Sequence, residues 1–124
     1  MIITLSGPYP GFKEQNFIRE AVLNGGVICY PTDTVYGIGC SINHQNSIAK
    51  VYQMKFRHKN MENKSLSLIF KDISQISDYA VLDDMQFRIL KKYLPGPYTF
   101  ILPARKTLPK NLFDGKKKTI GVRI

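Results

Sequence analysis

Cysteine occurs only twice in the 124 residues, at positions 29 and 40, and histidine only twice, at 44 and 58. Two thiols at that separation, with no histidine at ligand spacing from a cysteine or from the other histidine, do not make a zinc site, so no metal ligand set is predicted. Both cysteines read as reduced thiols, and Cys29, inside the apolar run Val27-Ile28-Cys29-Tyr30, is assigned to the core. No apolar run approaches the length that crosses a bilayer, which excludes a helical membrane span. The opening Met1-Ile2-Ile3-Thr4-Leu5 is too short for the apolar centre of a secretory signal and runs into Gly7-Pro8, so a cytoplasmic address is expected. There is no G-x-x-x-x-G-K-[ST] run, which excludes an ordinary phosphate loop, and no Ser-His-Asp or Cys-His arrangement that would suggest a covalent nucleophile. Acidic residues are also scarce: 9 Asp and Glu stand against 18 Lys and Arg, giving a formal charge of +9. A field of that sign attracts anions, and nucleotides and RNA both qualify.

What is present suits one folded domain spanning residues 1–124: 44% hydrophobic and 22% charged residues, at a length that buries roughly two thirds of the unfolded surface. The stretch from Val27 to Cys40 organises the rest. An apolar run meets Pro31, which cannot continue a central ladder, so a strand should stop there. Thr32, Asp33 and Thr34 then offer two hydroxyls and a carboxylate in the turn. Gly37 and Gly39 remove side chains where backbone or ligand could come close. Two readings stay open for this stretch, a binding turn and a plain strand-loop-strand connection.

Along the chain, residues 2–5 alternate weakly and predict a short strand. Phe17, Ile18, Ala21 and Val22 mark the apolar stripe of a helix from about Lys13, with Asn24-Gly25-Gly26 as its stop. A second helix is capped within residues 43–46, carries Ile48, Val51, Tyr52 and Met54 inward, and ends near Lys55-Phe56-Arg57. The polar segment 58–64 reads as an exposed loop. Ser65 to Phe70 predicts a strand, Asp72 to Tyr79 a short helix with Ile73, Ile76 and Tyr79 on one face, and Asp83 to Leu94 a longer helix with Phe87, Leu90 and Leu94 inward. Pro95-Gly96-Pro97 ends that helix, and Tyr98 to Leu102 resumes as a strand. A basic loop follows, with a helical turn near Leu108 to Phe113 and the run Lys116-Lys117-Lys118, and Thr119 to Ile124 forms a last strand. Strands mixed with helices predict an α/β or α+β sheet covered by helices.

Lys55 and Arg57 sit two apart. In an extended segment such residues point the same way and would form a two-pronged cationic clamp for phosphate; on a helix they diverge and simply complement its carbonyl end. Which reading holds depends on whether the helix has ended by Lys55. Lys64 offers a third cation, or a solvated loop lysine. Phe56 and Tyr98 could stack a base, though each taken singly is more often core. Threonines, glycines, lysine and arginine without a nucleophile suit chemistry done by positioning and charge neutralisation, such as nucleotidyl transfer.

The ordered blocks Y-P-T-D-T-V-Y-G-I-G-C at 30–40, K-F-R at 55–57, K-S-L-S-L-I-F at 64–70, P-G-P-Y-T-F-I-L at 95–102 and G-V-R-I at 121–124 resemble the YrdC/YciO family over essentially the whole chain. The wording after Lys64 is closer to the YciO branch. The resemblance implies a twisted mixed parallel and antiparallel sheet flanked by helices, with a concave, positively charged face. It implies synthesis of threonylcarbamoyl-adenylate from L-threonine, bicarbonate and ATP, with pyrophosphate released and the product passed to a transferase that modifies adenosine 37 of tRNA. Magnesium is expected to be held mainly by the phosphates. By motif, Thr32, Thr34 and Tyr36 fall at the amino-acid end of the cleft. Lys55 and Arg57 match the catalytic and nucleotide-binding K-x-R pair, and Lys64, Thr99 and Arg123 complete the nucleotide side. The family continues beyond V-R-I through proline to an S-x-N segment, so the chain is expected to be the N-terminal part of a longer domain, with its activity in isolation left open. The alternative function is a noncatalytic module that binds tRNA or double-stranded RNA through the positive charge.

Overall fold

A computed structural model describes residues 1–5, 7–56, 65–109, 112 and 118–124. They fall into two compact units, Met1–Arg57 and His58–Ile124.

In the first unit the order is helix α1 (Phe12–Leu23), strand β1 (Val27–Tyr30), strand β2 (Gly37–Cys40) and helix α2 (Gln45–Phe56). Residues 1–5 form no strand. Their alternation was too weak to overcome the need for a ladder partner, and Met1 and Ile2 stand almost wholly exposed. Helix α1 stops where Asn24-Gly25-Gly26 predicts. Asn24 is its C-cap, Gly25 takes the left-handed conformation at φ 79°, and the Gly25 and Gly26 amides donate to the Val22 and Ala21 carbonyls at 3.1 and 2.7 Å. This pair of reversed bonds is a Schellman ending.

Two more carbonyls at that end are taken by side chains from the start of α2. The Ser47 hydroxyl donates to Gly25 O at 2.6 Å, and His44 Nε2 lies 2.8 Å from Leu23 O. A carbonyl only accepts, so His44 carries its proton on Nε2. Strands β1 and β2 pair antiparallel, with Val27 opposite Cys40 and Tyr30 opposite Gly37. Helix α2 packs on this hairpin and buries Ile48, Val51 and Phe56, whereas Met54 points to solvent. Cys29 is exposed, contrary to its assignment to the core. The sheet has two strands, Cys29 lies opposite the part-exposed Ile38, and the face carrying both is open.

In the second unit strand β3 (Ser67–Ile69) is followed by helices α3 (Ile73–Tyr79) and α4 (Asp84–Tyr93), strand β4 (Phe100–Pro103) and strand β5 (Thr119–Arg123). The sheet order is β3-β5-β4, parallel between β3 and β5 and antiparallel between β4 and β5. Mixed pairing within a helix-covered sheet is the predicted fold class. Both helices start where a carboxylate can take an orphan amide: Asp72 accepts from Gln75 N at 2.8 Å, and Asp83 from Gln86 N at 2.7 Å. Gln86 Oε1 in turn accepts from the Asp83 amide at 3.0 Å, completing a capping box. Leu68, Phe70, Leu102, Ile120 and Val122 fill one face of the sheet, with Ile76, Leu90 and Leu94 of the helical segments also buried. Strand β4 is an edge, which is why it can include Pro103. Within the predicted turn near Leu108, Leu112 N bonds to Pro109 O at 3.1 Å; Lys110, Asn111, Phe113, Lys116 and Lys117 lie outside the described residues, as does the segment 58–64.

Arg105 closes the carbonyl end of α3. Its Nε lies 2.7 Å from Ser77 O and 3.2 Å from Ala80 O, and its amide donates to Tyr79 O at 2.7 Å. A cation bonded to the last carbonyls of a helix is favoured by their partial charge as well. Arg105→Ala removes the side-chain bonds but not the backbone one, so it is expected to cost about 1.5 kcal/mol in a urea unfolding experiment. Arg105→Lys should recover only part of that, since a point charge replaces an aligned donor.

Candidate functional site

Pro31 ends β1, and the five residues that follow turn the chain back into β2. Thr32 is the hub of that turn. Its hydroxyl donates to Val35 O at 2.6 Å, and its oxygen accepts from the Thr34 amide at 3.2 Å and lies 3.2 Å from Thr34 Oγ1. A hydroxyl has one proton, and Thr32 has given its own to Val35, so Thr34 is the donor in the hydroxyl pair. Thr34 Oγ1 therefore meets any further partner as an acceptor. Thr34 and Tyr36 are exposed, Tyr36 at 75%. The stretch is thus a strand-loop-strand hairpin whose loop presents hydroxyls, which joins the two readings the sequence left open.

Gly37 and Gly39 serve an unpredicted purpose. The Tyr30 ring lies across them, so that a Cβ built at Gly37 would stand 2.9 Å from Tyr30 Cζ and one at Gly39 3.2 Å from Tyr30 Cε1. The close neighbour they admit is an aromatic ring from the opposite strand, which covers the glycines and stiffens the hairpin beneath the turn.

Lys55 lies inside α2, which runs through Phe56. The extended clamp required the helix to have ended by Lys55, so that geometry fails at Lys55. It sits instead in the last turn, complementing the carbonyl end, with its ammonium 5.7 Å from the Phe56 ring centre. Phe56 itself is core. Arg57 and Lys64 lie outside the described residues.

Thr99 and Arg123 belong to the second unit and share the outer face of its sheet. In the register, Gly121 stands opposite Ser67 on one side and Ile101 on the other, and Arg123 opposite Ile69. A Cβ at Gly121 would meet Ser67 Oγ at 2.7 Å and Thr99 Cγ2 at 3.1 Å, so both side chains lean over the central strand in the space that glycine leaves. Ser67 and Gly121 were not among the predicted site residues. Their signal is the alternation in S-L-S-L-I-F, which puts Ser67 and Ile69 on the face away from Leu68, and a glycine in the middle of T-I-G-V-R. Tyr98, proposed as a stacking surface, is half exposed and meets Tyr93 edge-on at 5.4 Å.

A polar hollow of about 470 Å³ opens at the α1–α2 junction, lined in part by Asn43, His44, Asn46 and Lys50. It contains none of the predicted site residues. Burial pushes the Cys40 thiol up from its ordinary value, which keeps it protonated and a poor nucleophile. Among the described residues no cluster of His, Cys, Asp and Glu is arranged to hold a metal, and no helix is long and apolar enough to cross a membrane.

A hydroxyl-bearing hairpin turn in the first unit and a mixed parallel and antiparallel sheet in the second define the class of protein, a helix-covered α/β fold. Residues 20–124 match the family model Sua5_yciO_yrdC, described as "Telomere recombination", and the chain belongs to that family. It is 36% identical over 119 residues to the uncharacterized protein YciO of Escherichia coli K12, covering 94% of this chain and 56% of that protein. It is 37% identical over 123 residues to the threonylcarbamoyl-AMP synthase of Chromobacterium violaceum, covering 96% of this chain and 62% of that one. The crystal structure of E. coli YciO superposes with a TM-score of 0.82 over 93% of this chain and 54% of YciO, at 37% identity. The structure of P. abyssi Sua5 complexed with L-threonine shares the fold, with a TM-score of 0.81 at 21% identity over 94% of this chain and 33% of Sua5. The chain thus spans about half the length of the curated relatives it matches.

Proposed function

We propose that this chain contributes the amino-acid and nucleotide contacts of a site that forms threonylcarbamoyl-AMP from L-threonine, bicarbonate and ATP. The observation that carries the reading is the Thr32-centred turn, in a chain related to proteins named for that product. Threonine's amine and bicarbonate condense to a carbamate with loss of water. A carbamate oxygen then attacks the α-phosphorus of ATP, the bond to the β-phosphate oxygen breaks, and pyrophosphate leaves. Nothing in this sequence of steps needs a protein nucleophile. It needs two anions held together while their charge is offset, and Lys55, Arg57, Lys64 and Arg123 are the cations assigned to that task. Thr34, its proton committed to Thr32, accepts from the nitrogen of the bound amino acid, and Tyr36 borders the same substrate. Thr99 lies on the nucleotide side. Magnesium would be held mainly by the triphosphate oxygens and would offset part of their charge.

The test is pyrophosphate release from ATP that depends on both L-threonine and bicarbonate. Lys55→Ala is expected to lower that release about a hundredfold, the usual effect of removing one preorganised charge at a phosphoryl transfer. Release that continues without threonine, or that ignores Lys55→Ala, rules the reading out.

A further inference from the structure

The three-stranded sheet turns Leu68, Ile120, Val122 and Leu102 inward, and the alternate positions form its outer face. On that face the central strand carries Gly121 and Arg123, two apart and therefore on the same side. β3 contributes Ser67 and Ile69, and Thr99 precedes the first residue of β4. The side chains crowd toward the centre. Ser67 Oγ and Thr99 Cγ2 come within 2.7 and 3.1 Å of where a Gly121 Cβ would be, although both residues are themselves exposed. A hydroxyl held over the middle strand, rather than turned out to solvent at the sheet edge, is one that glycine makes possible.

The surroundings fit an anion with an apolar flank. Ile69 and Ile101 are 57% and 64% exposed on either side of the central strand, and Arg123 adds a cation to the same face. Ser67 and Arg123 are diagonal neighbours across the parallel pair, within reach of a shared small group. A neutral hydroxyl beside a guanidinium is a common pairing for a phosphate oxygen, the one supplying a directed donor and the other charge.

We propose that Ser67 is a nucleotide-positioning residue whose hydroxyl donates to a phosphate oxygen of the bound nucleotide, and that Gly121 is required because it lets that hydroxyl lean over β5. The proposal rests on the adenylation reading above and adds to it a residue in the second unit. Binding of ATP and of adenosine to the full 124-residue chain is measured by calorimetry for the wild type, Ser67→Ala, Ser67→Thr, Gly121→Ala and Lys55→Ala. Thermal melts are recorded for each protein. Ser67→Ala is expected to weaken ATP about tenfold and leave adenosine unchanged, since one bond to a charged group is lost and the nucleoside makes none. Ser67→Thr should bind nearly as the wild type does. Gly121→Ala should weaken ATP to a similar extent, because its methyl takes the place of the Ser67 hydroxyl at 2.7 Å; Thr99 Cγ2 at 3.1 Å and Ser67 Cβ at 3.2 Å must also give by a few tenths of an ångström, so a small loss of melting temperature accompanies it.

Unchanged ATP affinity in Ser67→Ala, with Lys55→Ala still weakened, overturns the proposal and leaves the adenylation reading standing. Equal losses for ATP and adenosine also overturn it, because Ser67 then contacts the nucleoside. A wild-type chain that binds no ATP overturns this proposal for these residues, while the adenylation reading is judged separately by threonine- and bicarbonate-dependent pyrophosphate release.

Discussion

Thr32→Val is expected to lower threonine-dependent pyrophosphate release about a hundredfold while costing only about 1 kcal/mol of stability. Valine matches threonine in shape but has no hydroxyl. The substitution therefore removes the bond to Val35 O, the bond from the Thr34 amide and the bond between the two threonine hydroxyls, all at once. These bonds lie at an exposed turn where water can replace what is lost, which keeps the stability cost small. The four residue pairs of the β1–β2 ladder and the buried Ile48, Val51 and Phe56 are untouched. What is lost is the direction of Thr34 and the course of the backbone to Tyr36. A displacement of about 1 Å in a group that positions a substrate is enough for a hundredfold effect. Thr32→Ser, which keeps the oxygen and its proton, should remain within a few-fold of the wild type. A valine variant as active as the wild type would mean that this turn does not border the reactants.

The hydroxyl turn depends on the hairpin below it, and the hairpin depends on an aromatic ring. Tyr30 is the last residue of β1 and Gly37 the first of β2, directly opposite each other. They are the pair on which the six-residue connection is built. Glycine in a strand ordinarily weakens it, because it packs nothing and gives up more conformational freedom on ordering. Here the Tyr30 ring covers Gly37 and Gly39, replacing the missing packing. The same device, a glycine that admits a neighbour's side chain, recurs at Gly121 with a serine and a threonine in place of the ring.

The sequence is most legible where structure depends on neighbours in the chain. Helices α1 and α2 and the starts of α3 and α4 at Asp72 and Asp83 follow from apolar spacing and from carboxylates that reach an amide three residues on. Cys29 was misplaced because a four-residue apolar run looks the same in a strand covered on both faces and in one covered on a single face. For Lys55 the sequence leaves a helix end and an extended clamp both open, because the two differ by one residue in where the helix stops, finer than periodicity resolves. Alternation puts Ser67 on the outer face and a mid-strand glycine marks Gly121, but that the two meet, that the Tyr30 ring covers Gly37, and that His44 and Ser47 finish a helix more than 20 residues earlier all depend on register or tertiary approach.

The largest stability effect is expected at Gly26, where alanine should cost about 3 kcal/mol. A Cβ there would lie 2.5 Å from the Ala21 carbonyl oxygen, closer than non-bonded carbon and oxygen approach, and that oxygen belongs to the backbone of α1, not to a side chain that can swing aside. The Gly26 amide donates to the same oxygen at 2.7 Å, so the new methyl cannot retreat without breaking the bond that closes the Schellman ending. Gly25→Ala is a different and smaller fault. It forces a side chain into φ 79°, at about 1–2 kcal/mol, and brings a methyl to 3.2 Å from His44 Nδ1, whose other nitrogen is engaged with Leu23 O. Gly25→Asn should be milder than Gly25→Ala, since asparagine tolerates that conformation. Urea unfolding of the three variants orders the costs as Gly26→Ala, Gly25→Ala, Gly25→Asn. The residue that follows Gly26 begins β1, and β1 ends at the threonine turn. A loosened helix end should therefore lower activity only in step with lost stability, whereas Thr32→Val lowers it in a protein that remains folded. An unfolding midpoint for Gly26→Ala equal to that of the wild type would show that this junction can relax around a methyl, and that the hairpin is not held by the close of α1.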